Sequence, residues 1–116
     1  MKPQSPGAVP RRGEIWWVRL DPALGSEIRK TRPCLILTSD IANQLRRTVV
    51  VILLSSSPQA SPPLLIPVQC AGRKAVVVTD QIRAIAKERL GKRVDVLSAK
   101  DLRAVEEALR EVLELR

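Results

Sequence analysis

The sequence contains no histidine, no phenylalanine and no tyrosine, and only two cysteines, Cys34 and Cys70. Each absence removes a class of chemistry. Without histidine, no side chain has an ordinary pKa near neutrality, so imidazole catalysis and imidazole-bound metals are excluded. Two cysteines without histidine cannot assemble an ordinary zinc site, and these two lack the close spacing of a redox pair. Metal chemistry through carboxylates alone is not expected either, so neither metal nor cofactor is expected. Cys34 lies in the apolar run Cys34-Leu35-Ile36-Leu37 and reads as a small core hydrophobe in a reducing cytoplasm. No apolar run is long enough to span a bilayer. Residues 1–10 hold one lysine and no apolar run, which reads as a disordered lead-in and not as a leader or anchor.

What the chain has is positive charge. Its 116 residues include 20 Lys and Arg against 12 Asp and Glu, for a net charge of +8. Sixteen of the basic and seven of the acidic residues precede residue 98, so the surplus belongs to the body of the domain and not to its C-terminal tail. A polyanionic partner follows, nucleic acid before a membrane surface, because neutralised phosphates release counterions and drive binding. The length allows one domain with one modest core, expected over residues 11–116.

Patterning predicts a small, mainly β domain. Glu14 to Leu20 alternates as a strand, with Trp16 on one face and Trp17 on the other, so one indole is core and the other is free to stack on a base. Further strands are predicted at Cys34 to Thr38, Thr48 to Leu54, Leu64 to Val68, Ala75 to Thr79 and Val94 to Leu97. A short helical excursion is predicted after Ser39, and an extended piece from Ile82 that ends in a helical turn through Lys87-Glu88-Arg89. Thr48 to Leu54 is the most apolar and should be central and buried on both faces. Ser98 starts a helix, with Asp101 completing an approximate capping box. Its apolar stripe is Leu102, Val105, Leu109, Val112 and Leu113. Short strands with one terminal helix indicate a curled, mostly antiparallel sheet or partly open barrel.

The segment Gly25 to Leu37 concentrates the chemistry. Glu27, Arg29, Lys30 and Arg32 stand in one loop, and Pro33 holds Arg32 in extended backbone where the loop enters the strand. A guanidinium held there can be aimed at a phosphate. Arg11, Arg12, Arg46, Arg47, Arg73 and Lys74 are further candidates for phosphate contacts, most of them otherwise solvated charges. Asp80 reads as a turn cap, with Arg83 as its partner.

Taken in order, Arg12-Gly13-Glu14-Ile15-Trp16, Asp21-Pro22, Gly25-Ser26-Glu27, Arg32-Pro33, Asp40, Asn43 and Asp80-Gln81-Ile82-Arg83 resemble the MazF/PemK (Kid) family of toxin endoribonucleases. The resemblance runs from residue 11 to the last helix. It implies an α+β, mainly β fold, an SH3-like barrel of the CcdB/PemK type with a C-terminal helix, assembled as a homodimer. It also implies metal-independent cleavage of single-stranded RNA, and a MazE-like antitoxin whose acidic, flexible segment occupies the RNA groove. By the same resemblance the catalytic arginine falls on Arg32, and the family's strand-end threonine falls on Ser55, with Ser56 beside it. Glu27 becomes a candidate to orient Arg32 or accept a proton. Gly25, Ser26, Arg29, Lys30, Ser56, Asp80, Gln81 and Trp16 become candidates for RNA binding. Two other readings use the same composition: a CcdB-like toxin that poisons a protein target such as gyrase, and a basic RNA-binding module without catalysis.

Overall fold

The computed structural model describes residues 9–20, 31–56 and 59–116. Six strands and two helices follow one another: β1 (Glu14–Arg19), β2 (Thr31–Ile36), α1 (Asp40–Leu45), β3 (Thr48–Ser55), β4 (Leu65–Cys70), β5 (Arg73–Ala86), β6 (Leu90–Val96) and α2 (Ala99–Leu113), with a 3-10 turn at Lys87–Arg89 before β6. The strands form one antiparallel sheet in the order β4-β5-β3-β2-β1-β6. It curls until its two edge strands approach each other, which makes a half-barrel.

The curl has two causes. β5 pairs with β4 through its first half and with β3 along most of its length, and a bulge between the partners of Ile52 and Leu54 bends it sharply. Two irregularities in the β1–β6 ladder bend the other flank. Extra residues on one strand of a pair increase its local twist, so the sheet turns inward at both places. At the start of β1, Gly13 has φ +91° and lies between the Ile36 carbonyl, which its N–H reaches, and the Leu97 N–H, which its carbonyl accepts. A residue with a side chain would be strained there.

Both faces of the sheet carry a core. On one, Ile15, Leu35, Ile52, Leu54 and Val77 lie under α2, which contributes Val105 and Ala108. On the other, Trp16, Val18, Cys34, Ile36, Val49 and Val51 pack together. Burying such a side chain contributes about 1.5–3 kcal/mol, and β3 supplies residues to both sides. Its uninterrupted apolar sequence follows from that position. The α2 stripe differs from the expectation at its end: Ala108 is buried and Leu113 is exposed. Ser98 caps α2 by accepting the Asp101 N–H. The Asp101 carboxylate instead accepts the Gln69 N–H at 3.0 Å, so the expected capping box closes on one side only.

Several residues that carry the resemblance hold the scaffold. Buried Glu14 accepts the Trp16 indole N–H and the Arg11 N–H, both at 2.9 Å, and pairs with Arg93 at 3.1 Å. Asp40 accepts the Arg12 N–H and pairs with Arg11 at 3.3 Å. Buried Asn43 exchanges hydrogen bonds with Thr38. Arg12 donates to the Leu37 carbonyl and pairs with Glu106 of α2 at 2.7 Å. Arg11 and Arg12, expected among the phosphate contacts, are thus occupied in bracing β1 against α1 and α2.

Candidate active site

β2 and β3 are paired from Ile36↔Val51 to Cys34↔Leu53, and there the ladder stops. Pro33 explains the stop. The Leu37 N–H donates to the Val50 carbonyl, so alternation directs the odd-numbered donors of this segment toward β3. Pro33 has no N–H to give. β2 continues beyond it with only β1 as its partner, where Trp17 faces Pro33, Val18 faces Arg32 and Arg19 faces Thr31. The two central strands therefore part at Pro33. Continuing their register by two residues sets exposed Arg32 across from half-buried Ser55, on the same face.

A groove of about 460 Å³ opens at this place. Arg32, Pro33, Ser55, Ser56, Trp17 and Val94 all line it. The β4–β5 hairpin brings Arg73 and Lys74 to it. Among the described residues its lining includes three cations and no carboxylate. That arrangement suits a phosphodiester: a planar guanidinium can take two phosphate oxygens at once, and a serine hydroxyl can donate or accept beside it.

The hairpin tip is held by a residue that the sequence did not single out. Ala71 and Gly72 both have positive φ, +52° and +78°, as a two-residue type I′ turn requires. The Ala71 N–H donates to Asp95 of β6 at 2.6 Å, and Asp95 also accepts the Val96 N–H at 2.8 Å. These two bonds, the Ala71 one foremost, hold the Asp95 carboxyl below its ordinary range. Cys70, which lines the groove, is half-buried; burial chiefly, with Asp95 second, pushes its thiol pKa up. Cys34 is buried as expected, and desolvation, partly opposed by Arg83, pushes its thiol up to about 12. Both thiols are free cysteines and poor nucleophiles.

A family model described as PemK-like, MazF-like toxin of type II toxin-antitoxin systems matches residues 11–113. The chain belongs to this family. It is 37% identical over 114 residues to endoribonuclease MazF9 of Mycobacterium tuberculosis, covering 90% of this chain and 97% of that protein. It is 30% identical over 107 residues to endoribonuclease EndoA of Bacillus subtilis, covering 88% and 92%. The fold superimposes on a MazE–MazF structure from Deinococcus radiodurans with a TM-score of 0.81 at 22% identity, covering 93% of this chain and 98% of that one. A mycobacterial endoribonuclease in complex with its cognate antitoxin gives 0.78 at 20% identity, covering 92% and 97%. The curled sheet with a C-terminal helix is therefore the MazF-like fold.

Within this MazF-like fold, the expected residues divide into three groups. Arg32, Ser55 and Ser56 come together, joined by Arg73 and Lys74. Glu27, Gly25, Ser26, Arg29 and Lys30 lie outside the described residues. Trp16, Asp80 and Gln81 are not brought to the groove. Trp16, the expected platform for a base, is 8% exposed with its N–H bound to Glu14, whereas Trp17 is 42% exposed and lines the groove. Asp80 and Gln81 are exposed on the bulged stretch of β5, and Asp80 forms no ion pair with Arg83. The signal for Trp17 was Glu14: an acceptor two residues before Trp16 on the same strand face has a buried indole N–H to satisfy.

Proposed function

We propose that this chain is a sequence-selective endoribonuclease toxin that cleaves single-stranded RNA without a metal ion. The observation that carries the reading is the parting of β2 and β3 at Pro33, which leaves Arg32 and Ser55 facing each other across a cation-lined groove. Relatives at 37% and 30% identity named endoribonucleases support it.

In the proposed reaction, the ribose 2′-oxygen attacks the adjacent phosphorus and loses its proton as the new P–O bond forms. The P–O5′ bond breaks, and the leaving oxygen takes up a proton. The products are a 2′,3′-cyclic phosphate and a 5′-hydroxyl. Arg32 holds two non-bridging oxygens, where negative charge accumulates in the transition state. Ser55 hydrogen-bonds the same phosphate or the 2′-hydroxyl. Trp17 offers an aromatic face to a neighbouring base, and Arg73 and Lys74 hold the flanking backbone. Glu27 is proposed as the group that orients Arg32 or receives the 2′ proton.

The toxin is proposed to work as a cytoplasmic homodimer and to be silenced by the acidic, flexible segment of a MazE-like antitoxin. Such a segment would order on binding, guided by charge. Among the described residues no helix is long and apolar enough to cross a membrane.

The test is incubation of the purified protein with a long single-stranded RNA in a chelator, followed by mapping of the cut sites and their end groups. Cyclic phosphate and 5′-hydroxyl ends, lost in Arg32→Ala, are expected. Intact RNA, or cutting undiminished in Arg32→Ala, refutes the proposal. A CcdB-like poison would arrest growth with RNA left whole.

A further inference from the structure

The groove that holds Arg32 and Ser55 does not end at Ser56. Two more hollows follow it along β4. The first, about 560 Å³, shares Ser56, Lys74 and Ala75 with the groove and extends to Lys100 in the first turn of α2. The second, about 680 Å³, shares Pro67, Lys100 and Asp101 with the first and continues along α2 past Glu107 and Glu111.

The charge reverses along this path. In the first hollow, Lys74 and Lys100 face one carboxylate, Asp101, which already accepts the Gln69 N–H at 3.0 Å. Gln59 and Gln69 add amide groups suited to sugar or base edges. In the second, Asp101, Glu107 and Glu111 outnumber Lys100, and prolines and alanines make up much of the remainder. A phosphate chain is attracted into the first and repelled from the second.

The outer edge of β4 also discriminates between occupants. A peptide could dock here by adding a strand, provided that the edge offers donors. It offers none among the outward positions: the Leu65 N–H goes to Ser61, Pro67 has none, Gln69 gives its own to Asp101 and Ala71 gives its own to Asp95. An edge closed in this way resists strand addition. RNA needs no backbone ladder.

The geometry points to a flanking-nucleotide site: the first hollow receives the single-stranded RNA next to the cleaved bond, with a phosphate on Lys100, and the RNA path ends where Glu107 reverses the charge. This rests on the ribonuclease reading above and deepens it. The experiment measures kcat/KM for the shortest RNA that the protein cleaves and for the same RNA lengthened at either end, with wild type, Lys100→Ala and Glu107→Ala. Lengthening one end raises kcat/KM, and Lys100→Ala abolishes that gain while cutting the short RNA at the wild-type rate. Glu107→Ala keeps or increases the gain. A single-strand salt slope of about 0.7 per phosphate means that the gain due to Lys100 shrinks about two- to threefold between roughly 50 and 200 mM salt. Lys100→Ala should keep its melting temperature, since a cation in the first helical turn opposes the helix dipole.

A gain at neither end overturns the inference, as does equal slowing of short and long RNA by Lys100→Ala. It is also overturned if Lys100→Ala weakens binding of a polyglutamate peptide but not cleavage of the longer RNA. Failure of wild type to cleave any RNA overturns the ribonuclease reading as well, so the two failures are distinguishable.

Discussion

Arg32 and Ser55 should behave in catalysis as one unit. The continued register sets them across from each other on one face of the sheet, so both are within reach of the same phosphate. Removing a preorganised donor from a developing oxyanion costs about 10²–10³ in rate, or about 2.7–4 kcal/mol. Arg32→Ala, which removes a charged and bidentate donor, should fall at the upper end of that range. Ser55→Ala removes one neutral hydrogen bond, worth about 0.5–1.5 kcal/mol, or roughly two- to tenfold in rate. If the two groups served separate places, their losses would multiply. Acting on one phosphate they should not, because without Arg32 the phosphate is no longer held where Ser55 can reach it. Ser55→Ala should then have almost no effect in the Arg32→Ala background, and the coupling energy should equal its full effect in wild type. The assay is single-turnover cleavage of an end-labelled RNA in chelator by the four proteins, with thermal midpoints to verify that each is folded. Multiplying losses would refute the shared-phosphate reasoning. So would a silent Ser55→Ala beside a crippled Ser56→Ala, which would move the hydroxyl across the strand and break the register argument.

Pro33→Ala restores a donor facing β3, so the β2–β3 ladder should extend toward Leu54 and narrow the groove; a fall in kcat/KM with unchanged or higher thermal stability is expected, and unchanged cleavage would contradict the role given to the proline. Glu14→Ala leaves the buried Trp16 N–H and the Arg11 N–H without their acceptor, which should cost about 2–6 kcal/mol in urea unfolding at about 1–3 kcal/mol for each unsatisfied donor. Ala71→Asn should stabilise the protein by about 0.5–1 kcal/mol, because asparagine tolerates the φ of +52° better than alanine does, and a lower melting temperature would contradict this. The Cys34 thiol is raised in the folded state, so its contribution is complete below its unfolded value of 9.0 and is lost as pH rises toward about 12. Three pKa steps correspond to about 4 kcal/mol at most, and stability should fall less steeply above pH 9 in Cys34→Ala than in wild type.

The sequence made most elements legible because their signals were local. Ser98 caps α2 as its hydroxyl and position suggest, and the branched run from Thr48 is the strand flanked by both cores. Where the expectation fell short, the deciding partner was distant. Asp80 and Gln81 interrupt the apolar alternation of β5 and predict two pieces, yet the backbone continues through the bulge as one 14-residue strand. A bulge lets polar residues face outward without ending the strand, and period-2 reading fails across it. Arg32 was expected at the mouth of β2, whereas the strand begins at Thr31, held there by β1 alone. Asp95 carries no local signal, because its role depends on the Ala71 N–H, 24 residues away.

The two tryptophans show why part of the site was ambiguous from sequence. In a sheet with one wet face, alternation would decide between Trp16 and Trp17, since the core face claims every second residue. Here both faces carry a core, so parity alone is silent. The choice rests on position along the strand. Trp16 lies in the second core with Glu14 on its own face to accept its indole N–H, and Arg93 of β6 balances that carboxylate. Trp17 lies on the α2 face but beyond the helix's cover, opposite Pro33, where β2 leaves β3. Its exposure follows from the same missing N–H that opens the groove. The Arg-Pro pair therefore does two things at once: the arginine supplies charge, and the proline opens the cleft that both Arg32 and Trp17 line.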